Sequence, residues 1–264
     1  MLHASFSKYT LEFKRPSGTS RGVLNTKESW FIFLRDSDNP NNVGIGECAL
    51  LKGLSIDDRP DYEAKLAEVC TRINEHKEWL RRGLREFPSI HFGLEMALLD
   101  LNKGGSKQLF PNRFSQGHSP ININGLIWMG KPDFMKAQIE EKLDAGFRCI
   151  KMKIGAVDFD EEIKLIAGIR EEFDAADVEL RVDANGAFTP DNALEKLKRL
   201  SDFELHSIEQ PIKAGQWDEM AQLCEDTPLP IALDEELIGV FDLDSKTALI
   251  DAISPQYIIL KPSL

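Results

Sequence analysis

The sequence lacks the cysteine patterns of a redox or zinc protein. Its four cysteines, Cys48, Cys70, Cys149 and Cys224, are widely separated, and none forms a CxxC pair. This spacing indicates neither a zinc site nor a dithiol motif. It favours buried free thiols in a reducing compartment, so we expect a cytoplasmic protein.

Long apolar runs and basic tracts are missing too. No run approaches the ~20 apolar residues of a membrane-spanning helix, and the first residues, MLHASFSKYTLEF, lack the apolar core and cleavage site of a signal peptide. The net charge is −12, and no basic stretch alternates with aromatic residues. We therefore expect no nucleic-acid or membrane partner.

The first half of the chain has the pattern of an α+β domain. Residues 11–14, 29–36 and 43–50 read as antiparallel strands, separated by the turn-forming stretches PSGTSRG and DSDNPNN. Helical patterns follow at about 60–84 and 88–102, and the second is almost entirely apolar, which predicts a buried helix. The stretch 104–120 reads as a linker, so we place one domain at residues 1–119 and another at 120–264.

The second half alternates strands and helices at a period of roughly 25–30 residues, which is typical of a parallel sheet. One helix ends at Gly146, and another has Thr189 as a candidate N-cap with Pro190 at its first position. Both a doubly wound open sheet and a (β/α) barrel fit this alternation. The positions of the charged residues favour the barrel.

Five successive strands carry charged residues at their C-terminal ends. Asp183, Glu209, Asp234 and Lys261 are 26, 25 and 27 residues apart, so each step is one strand–helix unit. In IALDE and YIILK the charged residue falls on the face opposite Ile231 and Leu233, or Ile258 and Leu260, which we expect to pack under the helices. The charges then point to the barrel axis, at the end where such barrels place active sites. These strand-end residues are Lys151 and Lys153, Asp183 and Asn185, Glu209, Asp234, and Lys261.

Each motif has an ordinary explanation when taken alone. An aspartate after a strand often caps the next helix, and a KxK pair often lies on a solvated face. Charged residues at the same position of five strands are hard to explain as a solvated surface. Inside a barrel they would be unfavourable to bury unless they were paired or bound to a cation. Three carboxylates from neighbouring strands suit a hard divalent cation, Mg²⁺ or Mn²⁺.

The chain resembles the enolase superfamily, in its muconate-lactonising branch. The matching pieces are KMK (151–153), DANG (183–186), IEQP (208–211), LDEE (233–236) and LKP (260–262), in the family's order. The first half also resembles the family's α+β capping domain, including the helix FGLEMALLDL. The resemblance covers essentially the whole chain and implies a TIM-type barrel with this cap.

The resemblance also implies residue roles. Asp183, Glu209 and Asp234 would bind Mg²⁺, and Lys153 would remove a proton α to a carboxylate, giving an ene-diolate. Lys151 would lower the pKa of Lys153 and contact the substrate carboxylate. Lys261 would be a second acid/base or an electrostatic group. Asn185, Glu235 and Glu236 would not bind the metal themselves but would hold its ligands in position.

The segment GIGECALLKGLSID (44–57) resembles a loop of the o-succinylbenzoate synthases, although Leu51 and Lys52 depart from its proline-containing form. These enzymes dehydrate a cyclohexadiene carboxylate to an aromatic product in menaquinone synthesis. Loops 16–24 and 50–55 would close over the pocket, with Arg21, Gly53 and Ser55 near the substrate. As an alternative, the loop at 16–24 is only a flexible hairpin.

Other functions share the same pattern. Dipeptide epimerases, N-acylamino acid racemases and cycloisomerases have the same lysine pair and acid triad, and a non-catalytic barrel is an answer of a different class. We count six barrel strands where a closed barrel needs about eight. We therefore expect a longer protein, or strands supplied by another chain; oligomeric state cannot be predicted from the sequence.

Overall fold

The computed structural model describes residues 1–19 and 22–264, so the predicted substrate residue Arg21 lies outside the described residues. The chain divides into two compact units. The first comprises Met1–Arg15, Asn25–Ile121 and Lys261–Leu264, and the second comprises Pro16–Leu24 and Asn122–Leu260. The predicted domain boundary at 119/120 stays a prediction.

The strands form two sheets. An antiparallel sheet has the order β1-β2-β3, and a parallel sheet has the order β4-β5-β6-β7-β8-β9. The strands are β1 (Leu2–Thr19), β2 (Gly22–Asp36), β3 (Asn39–Cys48), β4 (Gly125–Ile127), β5 (Cys149–Lys153), β6 (Glu179–Asp183), β7 (Ser207–Glu209), β8 (Ile231–Leu233) and β9 (Tyr257–Ile258).

The helices are α1 (Tyr62–Thr71), α2 (His76–Glu78), α3 (Pro88–Asn102), α4 (Pro132–Asp144), α5 (Phe159–Glu172), α6 (Pro190–Ser201), α7 (Trp217–Asp226) and α8 (Leu243–Ile253). In the part of the chain that the structure describes, none is long and apolar enough to cross a membrane. The same residues contain four free cysteines, of which three are buried and Cys149 is half-buried.

The first unit packs α3 directly on the antiparallel sheet. Trp30, Ile32 and Leu34 alternate along β2 and are buried, as a half-buried strand requires. β1 is longer than predicted, and β1 and β2 together include residues 16–19 and 22–24, where the sequence predicts a loop. The predicted helix 60–84 is wrong as one element: it breaks after α1 into a 3₁₀ turn at Ile73–Glu75, α2, and a π-helical turn at Trp79–Gly83. The Trp79 indole donates to the Arg72 carbonyl at this break.

Glycines allow the close contact between α3 and β3. A Cβ on Gly93 would collide with Cys48 Sγ and lie 3.0 Å from the Cys48 backbone nitrogen. A Cβ on Gly46 would lie 2.7 Å from the Ala97 nitrogen. Both contacts involve buried backbone that cannot move without separating the helix from the sheet.

Replacing Gly93 by alanine should therefore destabilise the protein, although alanine favours helix. We expect overpacking to lower the free energy of unfolding by about 1–3 kcal/mol. Gly168 is the matched control, since it also lies inside a helix, α5, and a Cβ there would meet nothing within 4 Å. Gly168→Ala should be neutral or stabilising by about 0.5–1 kcal/mol. Urea denaturation of both variants measures this, and equal effects would show that the helix–sheet contact is not tight.

The second unit is a parallel sheet with helices between its strands, the arrangement of a partial (β/α) barrel. Neighbouring strands pair in chain order, and a helix lies between each strand and the next along the chain. The predicted alternation holds in β5, where Ile150 and Met152 are buried in the core beneath the helices. At β9 it fails: Ile258 is exposed and Leu260 is 70% exposed. β9 pairs with β8 on one side and forms the edge of the described sheet.

Two local predictions in this unit are confirmed. The helix α4 ends just before Gly146, which has a φ of 83° that suits glycine. The helix α6 begins at Pro190, and the Thr189 N–H donates to the Asn192 side chain at 3.0 Å.

Candidate active site

Three charged side chains stand side by side at the C-terminal edge of the parallel sheet. Lys153 on β5 is paired in register with Asp183 on β6, and Asp183 with Glu209 on β7. Glu209 is paired with Ala232 on β8, which shares its strand face with Asp234, two residues on. Lys153, Asp183 and Glu209 therefore lie in register, as the sequence predicted, whereas Asp234 lies two residues beyond the position that is paired with Glu209.

The two lysines of KMK bind these acids directly. Lys153 Nζ donates to Asp183 Oδ2 at 2.7 Å and to Asn185 Oδ1 at 2.6 Å. Lys151 Nζ lies 3.0 Å from the same Asp183 oxygen and also donates to Glu209 Oε2. The face of β5 that carries the lysines is therefore lined by acids and is not a solvated edge.

The acids are deeply buried: Asp183 is 1%, Glu209 5% and Asp234 3% exposed. Burial would raise the pKa of Asp183, but the ammonium groups of Lys151 and Lys153 outweigh it and hold that pKa below its usual value. Burial and the charges of Asp183 and Asp234 raise the pKa of Glu209 to about 8, despite its contact with Lys151. Burial alone would lower the pKa of Lys151, whereas Asp183 and Glu209 raise it. Burial is the largest cause of the raised Glu209 pKa, and the neighbouring carboxylates of Asp183 and Asp234 add to it.

Asn185 connects the lysine to a further acid. Its side chain accepts from Lys153 and donates from Nδ2 to Glu235 Oε1 at 3.0 Å. Its own N–H donates to Asp183 Oδ1 at 3.1 Å, and its φ of 46° is left-handed. Asparagine tolerates this conformation better than most residues, which explains its place directly after the strand.

Glu236 is buried and contacts Gln210, a residue that sequence reasoning missed. Glu236 Oε2 accepts from Gln210 Nε2 at 3.0 Å, and its Oε1 accepts from the Gly215 N–H at 2.7 Å. The only available signal for Gln210 was its place between Glu209 and Pro211 in the IEQP motif. A polar residue after a strand is too common to be singled out on that ground.

Three further predicted residues, Gly53, Ser55 and Lys261, belong to the first unit. Gly53 has a φ of 73°, and its N–H donates to Asp58 Oδ2 at 2.7 Å. The Ser55 hydroxyl accepts from the Leu51 N–H at 2.8 Å, so both residues shape their own loop. Lys261 lies beyond β9 and groups with the first unit. Their roles toward a substrate stay predictions.

The donor set suits a hard divalent cation. Among the residues that the structure describes, no group of three or more His, Cys, Asp or Glu side chains is arranged to hold a metal as it stands. The Lys151 ammonium lies against Asp183 and Glu209 and offsets part of their charge. Buried carboxylate oxygens are the ligands that Mg²⁺ takes, and the Lys151 ammonium shows that one positive charge can lie against both Asp183 and Glu209. The residues therefore fit such an ion, once the Lys151 side chain turns away.

Comparison with known proteins identifies similar chains. Residues 134–255 match the family model described as "Enolase C-terminal domain-like". The chain is 48% identical to an o-succinylbenzoate synthase from Desulfotalea psychrophila, covering 100% of this chain and 79% of that protein. A hydrophobic dipeptide epimerase from a Flavobacteria bacterium is more distant, at 26% identity over 95% of this chain and 73% of its own length.

Solved structures agree with this order of similarity. The crystal structure of MenC from Desulfotalea psychrophila has a TM-score of 0.84 and 44% identity, covering 100% of this chain and 79% of that one. The o-succinylbenzoate synthase from Thermosynechococcus elongatus, solved with Mg in its active site, has a TM-score of 0.77 and 23% identity, covering 99% and 77%. At that lower identity the second structure shows a shared fold.

Proposed function

This chain belongs to the o-succinylbenzoate synthase family of the enolase superfamily, and on that premise we propose that it dehydrates a hydroxylated cyclohexadiene carboxylate to an aromatic product. The reaction is a Mg²⁺-dependent syn elimination of water, of the carbon–oxygen lyase class, in menaquinone biosynthesis. The geometry that supports it best is the row of Lys153, Asp183 and Glu209 at the ends of three neighbouring strands. Such a row places an amine base beside acids that can hold a cation.

Lys153 is the proposed base. Its nitrogen ends among Asp183 and Asn185, and its side chain is only 11% exposed, which fixes its position. The neutral amine would take the proton α to the substrate carboxylate, so that the C–H electron pair moves into the ene-diolate. The resulting ammonium would return this proton to the leaving hydroxyl as the C–O bond breaks, and water would depart. A positioned general base of this kind accounts for roughly 10²–10⁴-fold in rate.

Asp183, Glu209 and Asp234 are the proposed ligands of Mg²⁺, and Mn²⁺ suits the same oxygens. When bound, the cation would stabilise the second negative charge that develops on the substrate carboxylate. Lys151 would then turn from these acids to the substrate carboxylate. Asn185 and Glu235 would keep Lys153 in place, because their hydrogen bonds run from its nitrogen to a second carboxylate.

Several assignments are part of this proposal. We assign Lys261 to a second charged position and Arg21, Gly53 and Ser55 to the substrate-binding loops, with residues 1–119 as the capping domain. We also place the protein in the cytoplasm, in keeping with its free thiols.

Substrate choice tests this proposal against the epimerase alternative. The protein with Mg²⁺ is incubated with the cyclohexadiene carboxylate and, in separate reactions in D₂O, with hydrophobic dipeptides. We expect kcat/KM for dehydration to exceed that for deuterium exchange into dipeptides by about 100-fold or more, since one site is built around one set of substrate contacts. Deuterium exchange without dehydration would contradict the substrate assignment and support an epimerase.

A further inference from the structure

Gln210 has an unusual backbone for a residue of its type. It follows Glu209 at the end of β7, is fully buried, and has a φ of 41°. This left-handed conformation is unfavourable for residues with a Cβ, and glycine would adopt it more easily. A strained backbone of this kind persists where surrounding contacts hold it in place. In Gln210 these contacts include side-chain hydrogen bonds, which glycine could not make.

The Gln210 side chain uses all of its principal hydrogen-bonding capacity. Its Oε1 accepts from the N–H groups of Asp234 at 3.0 Å and Glu236 at 3.4 Å. Its Nε2 donates to the Ile212 carbonyl and to Glu236 Oε2, each at 3.0 Å. An amide offers two acceptor and two donor positions, and here every one is directed at a strand end or the loop after it.

The Gln210 backbone extends the same link in both directions. Its N–H donates to the Ala232 carbonyl at 2.9 Å, and its carbonyl accepts from Gly186 at 2.7 Å. One residue therefore joins the ends of β6, β7 and β8. Asp183 and Glu209 are the last residues of β6 and β7, and Asp234 directly follows β8.

Glu236 completes the link. Its buried carboxylate accepts from Gln210 on one oxygen and from the Gly215 N–H on the other. It thereby ties the loop after β7 to the turn after β8. Hydrogen bonds to a buried carboxylate are stronger than those between neutral groups, so this contact gives the pair rigidity.

We propose that Gln210, held by Glu236, is a positioning residue that sets the spacing of Asp183, Glu209 and Asp234 and so the affinity for the divalent cation. This inference rests on the proposed function, which makes these acids the ligands. Mg²⁺ demands nearly ideal octahedral geometry, so a small shift of the Asp234 backbone weakens binding. Gln210 touches none of the three carboxylates in the contacts above, and acts through the backbone that carries them.

The test is Gln210→Met, which keeps the side-chain length and removes the amide. Gln138→Met is the matched control in the same unit. Gln138 is also buried, and its amide binds both the N–H and the carbonyl of Trp128 at 3.0 Å. It lies on α4, and its hydrogen bonds go to Trp128 and Phe134 and not to the ends of β6, β7 or β8. Its replacement therefore removes the same type of link elsewhere.

Mg²⁺ alone is the probe, titrated by calorimetry into protein freed of metal. Partners behind metal ligands typically contribute 10–100-fold in affinity, so we expect the Kd of Gln210→Met to rise by about 10-fold or more. The Kd of Gln138→Met should stay within about twofold of the unaltered protein, since none of the ligands moves. At saturating Mg²⁺ the kcat of Gln210→Met should largely recover, which a general loss of structure would not allow.

A rescue pair keeps the test decisive if Gln210→Met does not fold. Gln210→Glu alone places two carboxylates against each other and should weaken Mg²⁺ binding. Adding Glu236→Gln exchanges the two groups: the new carboxylate accepts from the backbone N–H groups, and the new amide donates to it. We expect this double variant to bind Mg²⁺ more tightly than Gln210→Glu alone.

The outcomes separate the two claims. If the unaltered protein binds Mg²⁺ and Gln210→Met binds it equally well, the positioning role is overturned while the proposed function stands. An equal loss in Gln138→Met, or a double variant no better than Gln210→Glu, also overturns it. If the unaltered protein binds no Mg²⁺, the proposed function fails, and this inference fails with it.

Discussion

Replacing Lys153 by alanine should reduce kcat for the dehydration by about 10²–10⁴-fold, because the site loses its general base. The protein should remain folded, since Asp183 keeps its contact with Lys151 at 3.0 Å. Binding of Mg²⁺ should persist, because none of the proposed ligands is altered. Initial rates at saturating substrate, with circular dichroism to verify folding, measure the effect.

Lys164→Ala is the matched control for this variant. Lys164 is a largely exposed lysine of α5 that pairs with Glu161, and exposed pairs contribute little to stability. Its replacement should leave kcat within about twofold, as expected for a surface change. A folded Lys153→Ala variant with more than a tenth of the original kcat would show that another group removes the proton.

Replacing Asp183 by asparagine should have the second large effect, on both metal binding and stability. Asp183 is the shared partner of Lys151 and Lys153, and its side chain is 1% exposed. Removing one partner of a buried ion pair costs about 3–5 kcal/mol, which we expect in urea denaturation with EDTA present. The same variant should show no calorimetric Mg²⁺ binding, because a proposed ligand loses its charge.

Asp160→Asn makes the same change at the surface. Asp160 pairs with Arg199, and both side chains are more than 40% exposed. An exposed pair of this kind contributes about 0–1 kcal/mol, so the control should be nearly as stable as the unaltered protein. If the two variants lost similar amounts of unfolding free energy, burial would not strengthen the contacts of Asp183 with Lys151 and Lys153.

The row of charged residues could be predicted from the sequence because its causes are local. Side-chain alternation within each strand and the repeat of one strand–helix unit both survive into the fold, so Lys153, Asp183 and Glu209 meet in register. The helix α3 was predicted at its observed bounds for a similar reason, since its apolar composition requires burial. These features depend on periods that a single sequence displays.

Other features depend on contacts between distant residues. Gln210 acquires its role through hydrogen bonds with Asp234 and Glu236, which are 24 and 26 residues away. The residues next to Gln210 in the sequence do not predict these hydrogen bonds. The exposure of Ile258 and Leu260 also contradicts their apolar pattern, because exposure depends on what covers a strand and not on the strand itself. The helix breaks after α1 at the place where the Trp79 indole donates a hydrogen bond to the Arg72 carbonyl.

The most direct test of the proposed function is the absorbance of the cyclohexadiene carboxylate during incubation with the unaltered protein. With Mg²⁺ present, the account predicts that the diene absorbance falls as the ring becomes aromatic. EDTA should stop this decay, and added Mg²⁺ should restore it. A folded protein that leaves the absorbance unchanged with Mg²⁺, or that works equally well in EDTA, would contradict the account.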